Sequence, residues 1–136
     1  MLDLGSGSGI SAIAAAKAGA SHVVAADIDL LALAACAVNA AANAVTLYTT
    51  DRDMLSAAPP EKASSLSAIF STSENWPAAC CASSTMPRTR DAPSTIGDPR
   101  RSYFPEGKFT PLAEYQVPVT RELEDFEIKR TTVWRA

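Results

Sequence analysis

The chain begins Met1-Leu2-Asp3-Leu4-Gly5-Ser6-Gly7-Ser8-Gly9 and reaches Asp27-Ile28-Asp29 about 20 residues later. A short apolar strand with an acid in it, a turn with glycine at every second position, an alanine-rich helix, a second strand and an acid at its end make one βαβ nucleotide site. Glycines in the turn let backbone come close to a ligand without a Cβ in the way, and the helix start offers free N–H donors. The acid ending the second strand is placed to accept both hydroxyls of a ribose. No other feature of the chain restricts its fold as much.

The spacing also says which nucleotide to expect. A dinucleotide fingerprint calls for Gly-x-Gly-x-x-Gly or -Ala. Here Ile10 stands where its last small residue belongs, and the acid Asp3 precedes the glycines, giving Asp-x-Gly-x-Gly-x-Gly. A carboxylate there would repel a pyrophosphate but can pair with an ammonium group, directly or through water. The ligand with both a nucleoside and an ammonium is S-adenosylmethionine. Asp3, Gly5, Gly7 and Gly9, followed by Asp27, resemble motif I of the class I, seven-strand methyltransferases. The Asn39/Asn43 helix end adds to the likeness.

At 136 residues the chain allows at most one domain. The expected fold class is α/β: an incomplete Rossmann-like seven-strand methyltransferase domain, truncated at its N-terminus because the first strand starts at residue 1. The formal charge of −3 gives no bulk electrostatic drive toward nucleic acid. No apolar run approaches the roughly 20 residues of a membrane span, and no signal peptide precedes the glycine turn. Three cysteines supply no disulfide framework, so a cytoplasmic location is the default. Cys80-Cys81 lacks a second ligand pair for a metal, and none is expected.

Along the first half, 10–19 reads as a helix stopped by Gly19, and 22–26 as a buried strand. Asp29 is positioned to cap a helix from Leu30 to about Ala42, with Leu30, Leu31, Leu33, Ala34 and Val38 as its apolar positions. Residues 45–49 read as a third strand, followed by Asp51 and Asp53. Cys36 is expected to be buried and inert, and His22 to lie on the surface.

Residues 1–56 form the expected cofactor-binding half and 96–136 the C-terminal strands. Between them, 57–95 is rich in Ser, Pro, Thr and Ala, with almost no periodicity. It reads either as a disordered linker or as a frame-shifted stretch. Trp76 and Cys80-Cys81 are odd in a linker, and a parallel sheet needs a strand and a helix here. Joining the third base of each codon to the first two of the next permits, from Ser64, V-V-L-V-G-D-I-F-Y-E-R-E-L-A, which is a buried strand and an acidic-aromatic loop. Some positions have no freedom: Asn75-Trp76 must give Leu, and Trp76-Pro77 must give Ala. The coding DNA decides between the two readings.

In the tail, 112–119 and 129–135 read as two closing strands with Trp134 in the core. Gly97-Asp98-Pro99, Glu114-Tyr115, Thr120-Arg121-Glu122 and Thr131-Thr132-Val133-Trp134 resemble the electron transfer flavoprotein beta subunit lysine methyltransferase family, near the ribosomal-protein lysine methyltransferases. That resemblance implies an S-adenosylmethionine-dependent protein-lysine N-methyltransferase, with a protein substrate such as that flavoprotein subunit. It implies that Asp3, Gly5, Gly7 and Gly9 hold the methionine part, Asp27 the ribose and Ile28 the adenine face. Asp51, or Asp53 in its place, would meet the adenine amine. Asp98 is a candidate for lining the substrate channel, or else simply part of a Gly-Asp-Pro turn. No residue is assigned as catalytic base. The family's Asp-x-x-Tyr after strand four is absent from the displayed chain, and Arg100 replaces its usual glycine, so the chain is expected to be an inactive fragment. Two rival readings are a nucleotide-binding oxidoreductase module and the non-functional product of a decayed gene.

Overall fold

The computed structural model describes residues 1–54, 65–68, 94–98, 104, 106–119 and 128–135. Among them the chain runs β1 (Leu2–Leu4), α1 (Ile10–Lys17), β2 (Val24–Ala26), α2 (Leu30–Ala42), β3 (Tyr48–Thr50), β4 (Ser65–Ala68), β5 (Ser94–Asp98), a 3-10 turn (Glu106–Lys108), β6 (Thr110–Pro118) and β7 (Ile128–Arg135). The strands form one sheet in the order β3-β2-β1-β4-β5-β7-β6. The first five are mutually parallel, while β7 runs antiparallel to both β5 and β6. The chain winds outward from β1 to β3, then returns to the other side of β1 for β4. That reversal opens a crevice at the carboxyl ends of β1 and β4, where ligands of such sheets bind.

Strand alternation sorts the core into two layers. Val23 and Ala25 face α1 and α2, packing with Ala12 and Cys36. Leu2, Leu4 and Ala26 face the opposite side with Val24 and Met54. Asp3, between Leu2 and Leu4, therefore points toward the helices.

Both helices end in the same motif. After α1 the N–H groups of Gly19 and Ala20 return to the carbonyls of Ala16 and Ala15, at 3.1 and 3.0 Å. After α2, Ala44 and Val45 return to Ala41 and Ala40, at 3.0 and 3.1 Å. This closure needs a left-handed residue. Gly19 supplies it at φ 97°, whereas Ala44 adopts φ 54° against its Cβ. The second closure recruits Val45, so β3 begins at Tyr48 and not at Val45 as expected.

Asp29 caps α2 as the sequence predicts, accepting the Leu31 N–H at 2.8 Å. The helix presents a different face from the expected one. Cys36 and Ala40 are its buried residues, while Leu30, Leu31 and Val38 are exposed. Close approach selects small side chains: Cys36 packs against the glycine turn, and a leucine there would hold the helix off the sheet.

Trp134 lies in the core as expected, with the Phe104 ring 5.0 Å from its own and Phe109 5.3 Å beyond Phe104. Glu114 and Arg130 pair across β6 and β7 at 3.3 Å. Both are well exposed, so the pair contributes only a few tenths of a kcal/mol.

The clearest departure from expectation is β4. In the displayed frame Ser65-Leu66-Ser67-Ala68 has no apolar run, yet its backbone pairs with β1 on one side and β5 on the other. The topology supplies what the composition does not, since β1 and β5 each need a parallel neighbour there. The rest of 57–93, with Trp76 and Cys80-Cys81, lies outside the described residues, as does Thr120–Glu127; the frame-shift reading concerns mainly those residues. Strand pairing on both edges should slow amide hydrogen exchange at Leu66 to Ala68 to about the level of Val24 to Ala26. Exchange at free-peptide rates in these residues would remove β4 from the sheet.

Candidate functional site

The site is built around the turn between β1 and α1. Ser6 N–H donates to the Ala26 carbonyl at 3.0 Å, tying the turn to β2. Gly9 N–H closes it on the Ser6 carbonyl at 2.8 Å. From α2, the Asn39 amide donates to the Ser8 carbonyl at 2.9 Å. Gly5, Gly7 and Gly9 all have positive φ, at 59°, 51° and 85°. A Cβ built on Gly7 would meet nothing within 4 Å, so the turn is open above it. One built on Gly9 would lie 2.5 Å from Cys36 Sγ. The two glycines thus serve different ends: Gly7 faces open space, and Gly9 seats α1 and α2 against each other.

Asp27 follows β2 and is held from both sides. Its Oδ2 accepts the Gly7 N–H at 2.8 Å, its Oδ1 accepts the Asp29 N–H at 3.0 Å, and its own N–H donates to Thr50 at 3.1 Å. The carboxylate is fixed before any ligand arrives, and its remaining lone pairs can still accept. Ile28, next in the chain, is exposed. Asp51 follows Thr50 at the end of β3 and is exposed.

Asp3 lies beneath the turn, fully buried. Neither of its carboxylate oxygens makes a hydrogen bond of normal geometry, although the Ala12 amide lies close enough to act on it. Burial raises its pKa to about 7; the Ala12 amide partly offsets this and the nearby Asp27 charge adds to it. The Cys36 thiol is also pushed up, by burial first and then by Asp3 and Asp27.

The predicted residues therefore fall into two places. Asp3, Gly5, Gly7, Gly9, Asp27, Ile28 and Asp51 gather at the carboxyl ends of β1, β2 and β3. Asp98 stands apart, fully buried at the end of β5 and opposite Thr132 of β7. It is two strands from β1, roughly 10 Å away. Sequence reasoning missed the tie from Asn39 to Ser8 and the seating of Cys36 on Gly9. Both depend on how α2 is placed, which no local spacing encodes. The Ser6 hydroxyl, buried without a partner, was also missed. Among the described residues no cluster of His, Cys, Asp or Glu is arranged to hold a metal, and no helix is long and apolar enough to cross a membrane.

The fold is one shared with solved methyltransferases. The ribosomal protein L11 methylase of Lactobacillus delbrueckii superposes with a TM-score of 0.61 over 98% of this chain and 68% of that one, at 20% identity. The Pyrococcus abyssi tRNA (uracil-54, C5)-methyltransferase, in complex with S-adenosyl-L-homocysteine, gives 0.67 over 99% and 33%, at 11% identity. More particularly, the family model of ribosomal protein L11 methyltransferase (PrmA), an enzyme family, matches residues 1–65. The L11 methyltransferase of Dechloromonas aromatica is 53% identical over 51 residues, covering 38% of this chain and 17% of that protein. That of Caldicellulosiruptor saccharolyticus is 46% identical over 55 residues, covering 40% and 18%. The matched stretch thus spans less than a fifth of these curated relatives.

Proposed function

We propose that the crevice binds S-adenosylmethionine and that the chain belongs to a protein-lysine methyltransferase. The observation that carries this is the pairing of two differently prepared acids. Asp27 is locked by Gly7 and Asp29 with acceptor capacity to spare, as a ribose requires. Asp3 is buried with both oxygens unmatched, as the partner of a ligand ammonium would be in the ligand's absence. The open backbone over Gly7 gives room for the methionine part, Ile28 offers an apolar surface for adenine and Asp51 an acceptor for its amine.

S-adenosylmethionine supplies an activated methyl group on a sulfonium. The protein's part is to hold it in line with a nucleophile in a water-poor pocket. Asp98, buried at the carboxyl end of β5, is the residue we place along the substrate channel. The matches to L11 methyltransferases favour a ribosomal protein as substrate. The tail motifs quoted above favour the electron transfer flavoprotein beta subunit, for which none of these matches speaks. Of those motifs, Glu114-Tyr115 lies on β6 and 131–134 on β7.

Calorimetry tests the cofactor reading. S-adenosylhomocysteine should bind at least tenfold more tightly than NAD, about 1.4 kcal/mol. Tighter binding of NAD would restore the oxidoreductase reading, which Ile10 at the start of α1 opposes. Failure of both to bind would favour the decayed-gene reading. Labelled-methyl transfer to L11 or to the flavoprotein subunit then separates the two substrates.

A further inference from the structure

The unpartnered carboxyl of Asp3 has a consequence beyond holding a ligand. We propose that binding of a ligand ammonium in this crevice expels a proton from Asp3, so that cofactor affinity is set by pH through the neutral range. The inference rests on the cofactor reading above. Its basis is geometric. Asp3 is fully buried, neither oxygen makes a hydrogen bond of normal geometry, and among the described residues no cation acts on it. Its register partner in β2 is Ala25, and in β4 the backbone of Leu66 runs beside it. From α1 it meets the Ala12 amide, and from beyond β2 the Asp27 carboxylate. From α2 it meets the Cys36 thiol, itself held protonated. His22, whose ring lies tilted 4.6 Å from that of Tyr48, precedes β2 and so lies at the end of that strand away from the crevice.

An isolated buried carboxylate is unfavourable and takes up a proton instead. Here that sets in near neutrality, because burial holds the group at about 7. A ligand ammonium supplies the missing positive charge and favours the ionised form. The carboxyl O–H bond then breaks, the proton passes to solvent, and the carboxylate pairs with the ammonium. Linkage gives the sign. The empty site holds the proton below about pH 7 and the filled site does not, so binding weakens as pH falls. Asp3 goes from about nine-tenths protonated at pH 6 to about one-tenth at pH 8.

The experiment is calorimetric titration of the full chain with S-adenosylhomocysteine between pH 6 and pH 8. Each pH is run in two buffers of different ionisation enthalpy. Affinity should rise about tenfold from pH 6 to pH 8, and nearly one proton should be released per ligand at pH 6. Asp3→Asn mimics the neutral acid and introduces no buried charge. It should show flat affinity across the range, weaker than the parent chain at pH 8, and no proton release. Equal affinity for the parent chain at both pH values, or the same slope in Asp3→Asn, overturns the inference and leaves the cofactor reading intact. No binding at any pH overturns both.

Discussion

Gly9→Ala should destabilise the fold by about 3 kcal/mol, well beyond the effect of the same methyl group at Gly7. Two independent penalties combine. At φ 85° an alanine Cβ crowds its own backbone, typically for about 1–2 kcal/mol. The same Cβ would lie 2.5 Å from Cys36 Sγ and 3.3 and 3.4 Å from Cys36 Cβ and Cα. Cys36 is fully buried, so its side chain has nowhere to turn and α2 must move. Gly7→Ala is the control, because it has a similar φ and nothing within 4 Å, and it should pay only the backbone penalty. In a Cys36→Ala background the Sγ clash disappears, and Gly9→Ala should recover about 1–2 kcal/mol in a double-mutant cycle. Urea unfolding at constant m-value measures all four variants. Equal loss from Gly7→Ala and Gly9→Ala would mean that the helices do not meet at Gly9.

The part of the fold legible in the sequence is the part that local chemistry encodes. Asp3 with the spaced glycines marks the first strand and turn, Gly19 stops α1, and Asp29 starts α2. Where the reading slipped, a contact from elsewhere decided. Val45 is drawn into the end of α2 by the Ala40 carbonyl, which delays β3. β6 starts at Thr110, two residues earlier than read, because Thr110 and Pro111 pair with Arg135 and Trp134. Nothing in Ser65–Ala68 signals a strand; β1 and β5 impose one. Likewise the α2 leucines look like core by spacing, while the space beside the turn accepts only Cys36 and Ala40.

The site divides in the same way. The identities of Asp3 and Asp27 follow from where motif and strand end. Their opposite environments do not. Asp27 is satisfied by backbone on both oxygens because Asp29 in its own loop and Gly7 in the turn after β1 both direct their N–H groups toward it. Asp3 is isolated because Ala12, Ala25 and Cys36 close over it with small apolar or weakly polar groups. The sequence names the acids, but only the packing makes one of them a fixed acceptor and the other an unmatched carboxyl that holds a proton near neutrality.

Asp27→Ala is expected to have the largest effect on ligand binding. It removes a ribose acceptor, and it also releases the Gly7 and Asp29 N–H groups that its two oxygens hold. The first loss should weaken S-adenosylhomocysteine by about 1–3 kcal/mol, the usual consequence of leaving hydroxyl partners unmet. The second loosens the turn itself, so the ligand must also reorder the backbone that Asp27 now keeps in place. Asp27→Asn separates the two. Its carbonyl oxygen can keep one of the backbone bonds, while the amide nitrogen that replaces the other oxygen cannot accept. The alanine variant should therefore bind more weakly than the asparagine variant, and both more weakly than the parent chain. Hydrogen exchange at Gly7 gives a readout independent of ligand: it should quicken in Asp27→Ala, where the acceptor is gone, and less so in Asp27→Asn. If Asp27→Ala bound S-adenosylhomocysteine as tightly as the parent chain, the ribose would have to lie elsewhere, and the crevice at the end of β2 would lose its assignment.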